Sequence, residues 1–398
     1  MTKLSDRINN LSESATIAMA QRSRELKSQG KDVISLSLGE PDFHTPDFIK
    51  EAAKNAIDEN FTTYTPVPGY LELREAISNK FKRDNHLDYS PEQIVVSTGA
   101  KQSIANVMLC LVNPGDEVIM PAPYWVSYME IAKMAEGIPV VVPAGIEQDF
   151  KITAQQLEDA ITEKSRVLIY SSPSNPTGSI YTEDELASLA KVIAKHKDLF
   201  VISDEIYEYI NFTGKHHSIA QFDEIKDQVI TVNGLSKGFA MTGWRCGYIG
   251  APAWIAKACG KMQGQVTSGT CSITQRAAIA ALEADPEVVT KEMKLAFKNR
   301  RDLVAERLEA IDGIKVNRPP GAFYLFPDVS AFFGKSFNGE TINNSQDLSM
   351  YLLNEALVAT VEGDAFGSPD CLRLSIANSE EQLITAMDRI TKALEQLS

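Results

Sequence analysis

Short apolar runs alternate with amphipathic stretches through the first three quarters of the chain. Ile94–Ser97, Val118–Met120, Val140–Val142, Val167–Tyr170, Phe200–Ser203 and Val229–Val232 are rich in β-branched residues and apolar on both faces. That pattern predicts strands of a parallel sheet covered by helices on each side. Helical periodicity fills several of the gaps, at Ala100–Leu111, Trp125–Ala135 and Thr182–His196, and Asn113-Pro114-Gly115-Asp116 marks a turn. The fold class is therefore α/β, mostly parallel. After about Ala284 the character changes. A long charged helix is predicted from Glu287 to about Ile311, then a strand Ala322–Phe326, a strand Cys371–Ile376 and a last helix from Ser379. These predict a smaller α+β domain, joined by an N-terminal helix near Thr16–Gln29 and a strand Val33–Leu38. The expected division is 1–48 and 291–398 for the small domain and 49–290 for the large one.

Charge narrows the partners. The chain has 398 residues, with 39 Lys and Arg against 53 Asp and Glu, a net charge of −14. Nucleic acid and anionic membrane surfaces repel such a chain, so an anionic ligand must be held by a few placed cations. Five cysteines, Cys110, Cys246, Cys259, Cys271 and Cys371, form no C-x-x-C pair and are odd in number. Free thiols in a reducing cytoplasm are expected. The histidines lack metal-ligand spacing, so no metal is expected, and His216 and His217 read as part of a solvated loop. Lys3, Asp6 and Arg7 precede no apolar run, so no signal peptide is read, and no stretch reaches membrane-spanning length.

In a parallel α/β sheet, ligands bind beyond the carboxyl ends of the strands. The residues there are Thr98-Gly99-Ala100-Lys101, Pro121-Ala122-Pro123-Tyr124-Trp125, Ser171 through Gly178, Asp204-Glu205-Ile206-Tyr207, and Asn233-Gly234-Leu235-Ser236-Lys237 with Arg245 beyond. They supply an anion-binding turn, an aromatic plate, an amide, a carboxylate and a lysine, the parts that a pyridoxal 5'-phosphate (PLP) site needs.

Four segments then carry a resemblance: Ser37-Leu38-Gly39-Glu40-Pro41-Asp42, Asn175-Pro176-Thr177-Gly178, Ser203-Asp204-Glu205-Ile206-Tyr207, and Ser236-Lys237 with Arg245 and Gly247. In order and spacing they resemble class I PLP-dependent aminotransferases of fold type I. The match runs from about Ser12 to Ile376 and is nearest the bacterial aspartate aminotransferase branch, with Lys101 and the Tyr124–Tyr128 segment. The resemblance implies that Lys237 forms the Schiff base with the cofactor and shuttles the substrate α-proton. Asp204 would keep the pyridine nitrogen protonated, and Tyr207 and Asn175 would bond the phenolic oxygen. Gly99, Ala100, Ser236 and Arg245 would hold the phosphate, joined by Tyr64 from a second subunit, which implies a homodimer. Trp125 would stack on the ring. Gly39, Asn175, Trp125 and Arg373 would meet the substrate and its α-carboxylate, and Lys101 and Thr16 the distal carboxylate of a dicarboxylic substrate. Many relatives carry serine where this chain has Gly234, which implies one phosphate donor fewer.

The implied activity is amino-group transfer from an L-amino acid, aspartate foremost, to 2-oxoglutarate by a ping-pong cycle. An alanine, prephenate or aromatic substrate range, or C–S β-lyase chemistry, would use the same fold. Relatives that accept prephenate tend to carry a basic residue at position 12, where this chain has Ser12. A PLP-sensing regulator is disfavoured by the acidic charge and the absence of a basic module before Gly39. A nicotinamide dehydrogenase is disfavoured because no G-x-G-x-x-G follows a strand.

Overall fold

The computed structural model describes residues 4–398. Seven strands build the central sheet: β1 (Ile94–Ser97), β2 (Glu117–Ala122), β3 (Ile138–Pro143), β4 (Ser165–Ser171), β5 (Phe200–Asp204), β6 (Val229–Gly234) and β7 (Gly247–Gly250). Their spatial order is β1-β7-β6-β5-β4-β2-β3. Strands β2 to β6 pair in parallel, and β7 runs antiparallel to both β6 and β1. The six apolar runs read from the sequence all lie in this sheet. The seventh strand was not expected, because glycine at both of its ends weakens the strand signal of Gly247-Tyr248-Ile249-Gly250. Hydrogen bonding to β6 and β1 places it there, a contact that local pattern does not carry.

Side-chain alternation sorts the sheet into two cores. Val96, Leu168 and Val201 face one helical layer with Phe81 and Leu186. Val95, Ile169 and Ile202 face the other with Ile104 and Ile255. One strand breaks the expected rule. Strand β3 lies at the sheet edge, and its Ile138 and Val141 are 48% and 40% exposed, so it is not covered on both sides.

The helix Ala100–Leu111 has the expected bounds, and the other two shorten to Val126–Met134 and Glu183–Ile193. Thr182 caps the last of these through a reciprocal pairing with Glu185. The single helix expected from Glu287 is broken: Pro286–Val289 is one turn, and Lys291–Glu309 follows after Thr290, whose hydroxyl bonds Pro286 O at 2.7 Å. The N-terminal helix is Ala15–Ser28, and the strand after it shrinks to Ile34–Ser35.

That short strand pairs in parallel with Val358–Ala359, which brings the N-terminus to the C-terminal part of the chain. Nearby, Leu372–Ser375 lies between Val361–Glu362 and Tyr324–Leu325 in a small antiparallel sheet. A third core joins Ile34, Phe297, Phe323, Val358 and Leu374 to Ile206, Tyr207 and Ile210, the residues that leave β5. The carboxyl ends of the large sheet therefore abut the terminal segments, and a cavity lies at that seam.

Candidate active site

A cavity of about 270 Å³ is lined by residues from nine separate chain segments. Of the residues singled out from sequence, Thr16, Gly39, Ala100, Lys101, Trp125, Asn175, Asp204, Tyr207, Ser236, Lys237, Arg245 and Arg373 all line it. Gly99 sits directly behind, as the residue before helix Ala100–Leu111. Tyr64 does not line the cavity of its own chain and is 96% exposed.

Lys237 follows β6 by three residues, and its Nζ donates to the Gly39 carbonyl. Burial lowers its pKa to about 8; Arg373 and Arg245 push in the same direction, while Glu40 and Asp204 oppose. An amine that titrates this close to neutrality can accept a proton and return it.

Asp204 ends β5 as a buried carboxylate. Burial raises its pKa to about 6, against hydrogen bonds from Tyr128 Oη at 2.6 Å and the Ile206 N–H at 3.2 Å. Tyr128 was not assigned a role from sequence. Its only local sign was its place three residues after Trp125, on the same helical face; the two rings meet edge to face at 5.5 Å.

An anion cradle forms where β1 ends. The N-terminus of helix Ala100–Leu111, Ser236 and Arg245 all line the cavity and supply N–H, hydroxyl and guanidinium donors to it. Gly99 has φ +87°, and a Cβ there would collide with the Arg245 guanidinium, so glycine lets the cation pack against the turn. At Gly234 a side chain would meet Cys246 O at 2.8 Å and the Gly247 Cα at 3.0 Å, so β6 has no room for a serine there unless β7 shifts.

Arg373 is the largest fully buried side chain, and it faces the cavity rather than solvent. It donates to Asn175 Oδ1 at 3.0 Å, to Ser37 O at 2.5 Å and to Thr16 Oγ1 at 3.5 Å, and its Nε has no partner. Burial lowers its pKa from the usual arginine value. Thr16 thus faces Arg373, and the residue that precedes helix Ala15–Ser28 is Ser14. Gly39 is required for another reason as well: a Cβ there would collide with Tyr324 Oη. Tyr324 was also missed from sequence. It exchanges a 2.8 Å hydrogen bond with Tyr207 Oη and lies under the Arg373 guanidinium, 4.8 Å from it. Lys101 Nζ lies 4.8 Å from the Trp125 ring, and desolvation and Arg245 lower its pKa.

The family description "Aminotransferase class I and II" matches residues 31–390. The chain belongs to this family. Among its curated relatives is the bifunctional aspartate aminotransferase and glutamate/aspartate-prephenate aminotransferase of Petunia hybrida, 50% identical over 396 residues, covering 98% of this chain and 82% of the relative. A probable aspartate/prephenate aminotransferase of Rickettsia bellii is 46% identical over the whole of both chains. Among solved structures, the aspartate aminotransferase of Rhizobium meliloti superposes with a TM-score of 0.96 at 41% identity, covering 100% of both chains. That of Thermus thermophilus with maleate gives 0.93 at 38%, covering 99% of this chain and 100% of the other.

As an aminotransferase of this family the protein is PLP-dependent. The cavity fits that cofactor on its own terms. It offers a lysine of lowered pKa, a buried acid with no cationic hydrogen-bond partner, a cradle of N–H and guanidinium donors, and a tryptophan plate.

Behind the cavity the aminotransferase carries a buried ion network. His216 is not solvated, as had been expected: its side chain is 7% exposed, its Nε2 lies 2.9 Å from Glu205 Oε2, and the neighbouring His217 is 16% exposed. Glu205 also accepts from Ser203 at 2.9 Å and Ser218 at 2.6 Å. Glu208 is paired with Lys80 and accepts from Asn85 and Asn233 at 2.9 and 2.8 Å. Ligand atoms of Glu205, Glu208 and His216 lie within 4.8 Å of one another, a grouping that residue spacing did not reveal. Lys80 and the amide and hydroxyl donors already occupy these carboxylates, so the grouping is an internal ion pairing. Glu205 and Glu208 alternate with Asp204 and Tyr207, so the network clamps the segment from behind. Removing one partner of such a buried pair costs about 3–5 kcal/mol.

Burial works against the His216 imidazolium, but Glu205 outweighs it and holds the pKa above the ordinary 6.5. The folded state then binds this proton more tightly than the unfolded one. Its contribution to stability is complete below pH 6.5 and fades as pH rises through the raised value. In denaturant unfolding, the gap between the parent and His216→Asn is expected to be widest near pH 6 and to narrow toward pH 9. A gap that stays constant with pH would show that the pair carries no proton linkage.

Proposed function

We propose that this aminotransferase transfers the amino group of L-aspartate to 2-oxoglutarate. The observation that carries the reading is Lys101, a cation in the same cavity as Arg373 that is left over once Lys237 and Arg245 are assigned to the cofactor. One carboxylate per cation describes a dicarboxylic substrate, and both aspartate and 2-oxoglutarate are of that kind. The Thermus thermophilus relative, whose structure was determined with maleate, a small dicarboxylate, supports the same class.

When bound, PLP supplies a ring that accepts electrons from the substrate α-carbon. Arg373, held by Asn175, would take the substrate α-carboxylate. Lys237 Nζ would take up the substrate α-proton and give it back, as an amine of lowered pKa can. Asp204, oriented by the Tyr128 hydroxyl, would hold a proton on the ring nitrogen. Tyr207, held by Tyr324, would bond the ring oxygen. The N-terminus of helix Ala100–Leu111 with Gly99, Ser236 and Arg245 would hold the phosphate. Trp125 forms one wall, and Thr16 and Gly39 close the substrate end. The same lysine serves both half-reactions, which gives ping-pong kinetics.

The reading includes a homodimer in which Tyr64 reaches the partner's phosphate cradle, supported by its complete exposure on its own chain. It includes small-domain segments 1–48 and 291–398 around a large domain 49–290, supported by the pairing of Ile34 with Val358. A cytoplasmic location is supported by five cysteines that form no disulfide; no helix among the described residues is long and apolar enough to cross a membrane.

A panel of amino donors with 2-oxoglutarate tests the reading. Aspartate is expected to give the highest kcat/KM, and Lys101→Met to lower that value about 10- to 100-fold, the worth of a hydrogen bond to a charged group. The variant should leave alanine unaffected. A Lys101→Met enzyme that keeps full aspartate activity would remove the dicarboxylate argument. A second reading, prephenate as a further acceptor, is favoured by the names of the Petunia and Rickettsia relatives. Including prephenate in the panel decides it. Ser12, exposed and tied by its N–H to Glu130 at 2.8 Å, offers no cation for the extra carboxylate.

A further inference from the structure

We propose that Glu40 is a positioning residue that sets the basicity of the Lys237 amine, and that the Thr242 hydroxyl holds it in place for that purpose. The geometry begins with the peptide between Gly39 and Glu40: the Gly39 carbonyl accepts from Lys237 Nζ, and the next side chain, Glu40, accepts from Thr242 Oγ1. Thr242 is itself a cavity residue, and its carbonyl accepts from Arg245 at 2.8 Å. The segment is stapled further along. Thr45 Oγ1 donates to Ala240 O at 2.7 Å and accepts from Trp244 Nε1 at 3.2 Å, and Asp42 pairs with Arg300 at 2.7 Å. Although Glu40 is open to solvent on one side, its carboxylate is therefore held by the loop 240–245 rather than free to swing away.

The charges around Lys237 explain why such a residue is needed. Arg373 comes from the small sheet and Arg245 from the loop before β7; both guanidiniums disfavour an ammonium, and so does burial against the rings of Tyr207 and Phe323, which lie 5.7 and 5.8 Å from Nζ. Two anions oppose them, Asp204 from β5 and Glu40, and Glu40 has the larger effect. The Tyr207 and Tyr324 hydroxyls share a hydrogen bond with each other. Once a protonated ring nitrogen faces Asp204, that carboxylate is neutralised locally. Glu40 is then the remaining anion that keeps the lysine nitrogen from losing its proton too readily. A general base works best with a pKa near the operating pH, so a group that holds it there matters as much as those that lower it.

The inference rests on Lys237 carrying the cofactor. The test uses holoenzyme of the parent, Glu40→Gln, Glu40→Asp and Thr242→Val, and follows the visible band of the Lys237-bound cofactor against pH. Glu40→Gln is expected to lower the midpoint by about half a unit to one unit, the effect of an opposite charge partly screened by water. Glu40→Asp should restore most of the shift. Thr242→Val, which frees the carboxylate, should produce a smaller shift in the same direction. The ascending limb of kcat/KM against pH should move with the band, and thermal unfolding of Glu40→Gln should stay near that of the parent. A Glu40→Gln midpoint unchanged or raised, with or without lost activity, overturns the proposal and leaves Glu40 a structural staple. Absence of the band in the parent would instead defeat the assignment of Lys237.

Discussion

Lys237→Ala is expected to lower the rate of amino-group exchange by at least about four orders of magnitude, the upper range for removal of a general acid–base group that also carries the covalent link. The size follows from the arrangement. Lys237 Nζ is the amine that lines the cavity between Asp204 and Arg373, its pKa is lowered to about 8, and the other lysine of the cavity, Lys101, stands over Trp125. No neighbouring side chain can take over the proton shuttle. Alanine leaves Ser236, Arg245 and the helix N-terminus in place, so cofactor should still associate through its phosphate. Stopped-flow mixing with aspartate, read at the visible band, checks this: binding should persist while the half-reaction fails. A variant that still turns over at parental speed would show that another group moves the proton.

Asp204→Asn is expected to lower kcat about 10²- to 10³-fold, the loss of a preorganised charge from the site where electrons collect. Asparagine keeps the shape, so the fold should be preserved, but its single oxygen can accept from Tyr128 or from the Ile206 N–H and not from both, so one hydrogen bond is lost with the charge. Cofactor affinity should fall as well, about 10- to 100-fold for a charge-assisted hydrogen bond. The pH dependence separates this from general damage. Burial holds the Asp204 pKa at about 6 in the open site, so the carboxylate is ionised above that value and neutral below it. Only the ionised form attracts a protonated ring nitrogen. Parental cofactor affinity should therefore decline as pH falls through 6, while that of Asp204→Asn should lack this step. Fluorescence titration of apoenzyme with PLP between pH 5 and 8 measures both curves.

Much of this site was legible because its residues follow buried strands. Apolar β-branched runs locate strand ends, and Asp204 and Lys237 stand at or just past two of them, so sequence order stands in for geometry. Arg373 was legible only through resemblance, since alternation along Leu372–Ser375 turns it away from the leucines without saying that a cavity lies there. What was hidden depends on contacts between distant segments. Tyr324 lies 117 residues from the Tyr207 that it holds, on a strand of two residues, too short to leave a periodic signal. Tyr128 reads as one more apolar helix residue until β5 brings Asp204 to its hydroxyl. His216 sits in a stretch of Gly, Lys and Ser whose composition suggests solvent, and only the fold brings Glu205 against it. Strand β7 is recognisable only from its partners.

The account stands on one amine that carries the cofactor. Yellow holoenzyme should be reduced with borohydride, digested, and its peptides mapped by mass. The cofactor is expected on a single peptide, attached at Lys237. Attachment at any other lysine, Lys101 included, or no attachment at all from a protein that still exchanges amino groups, would contradict it.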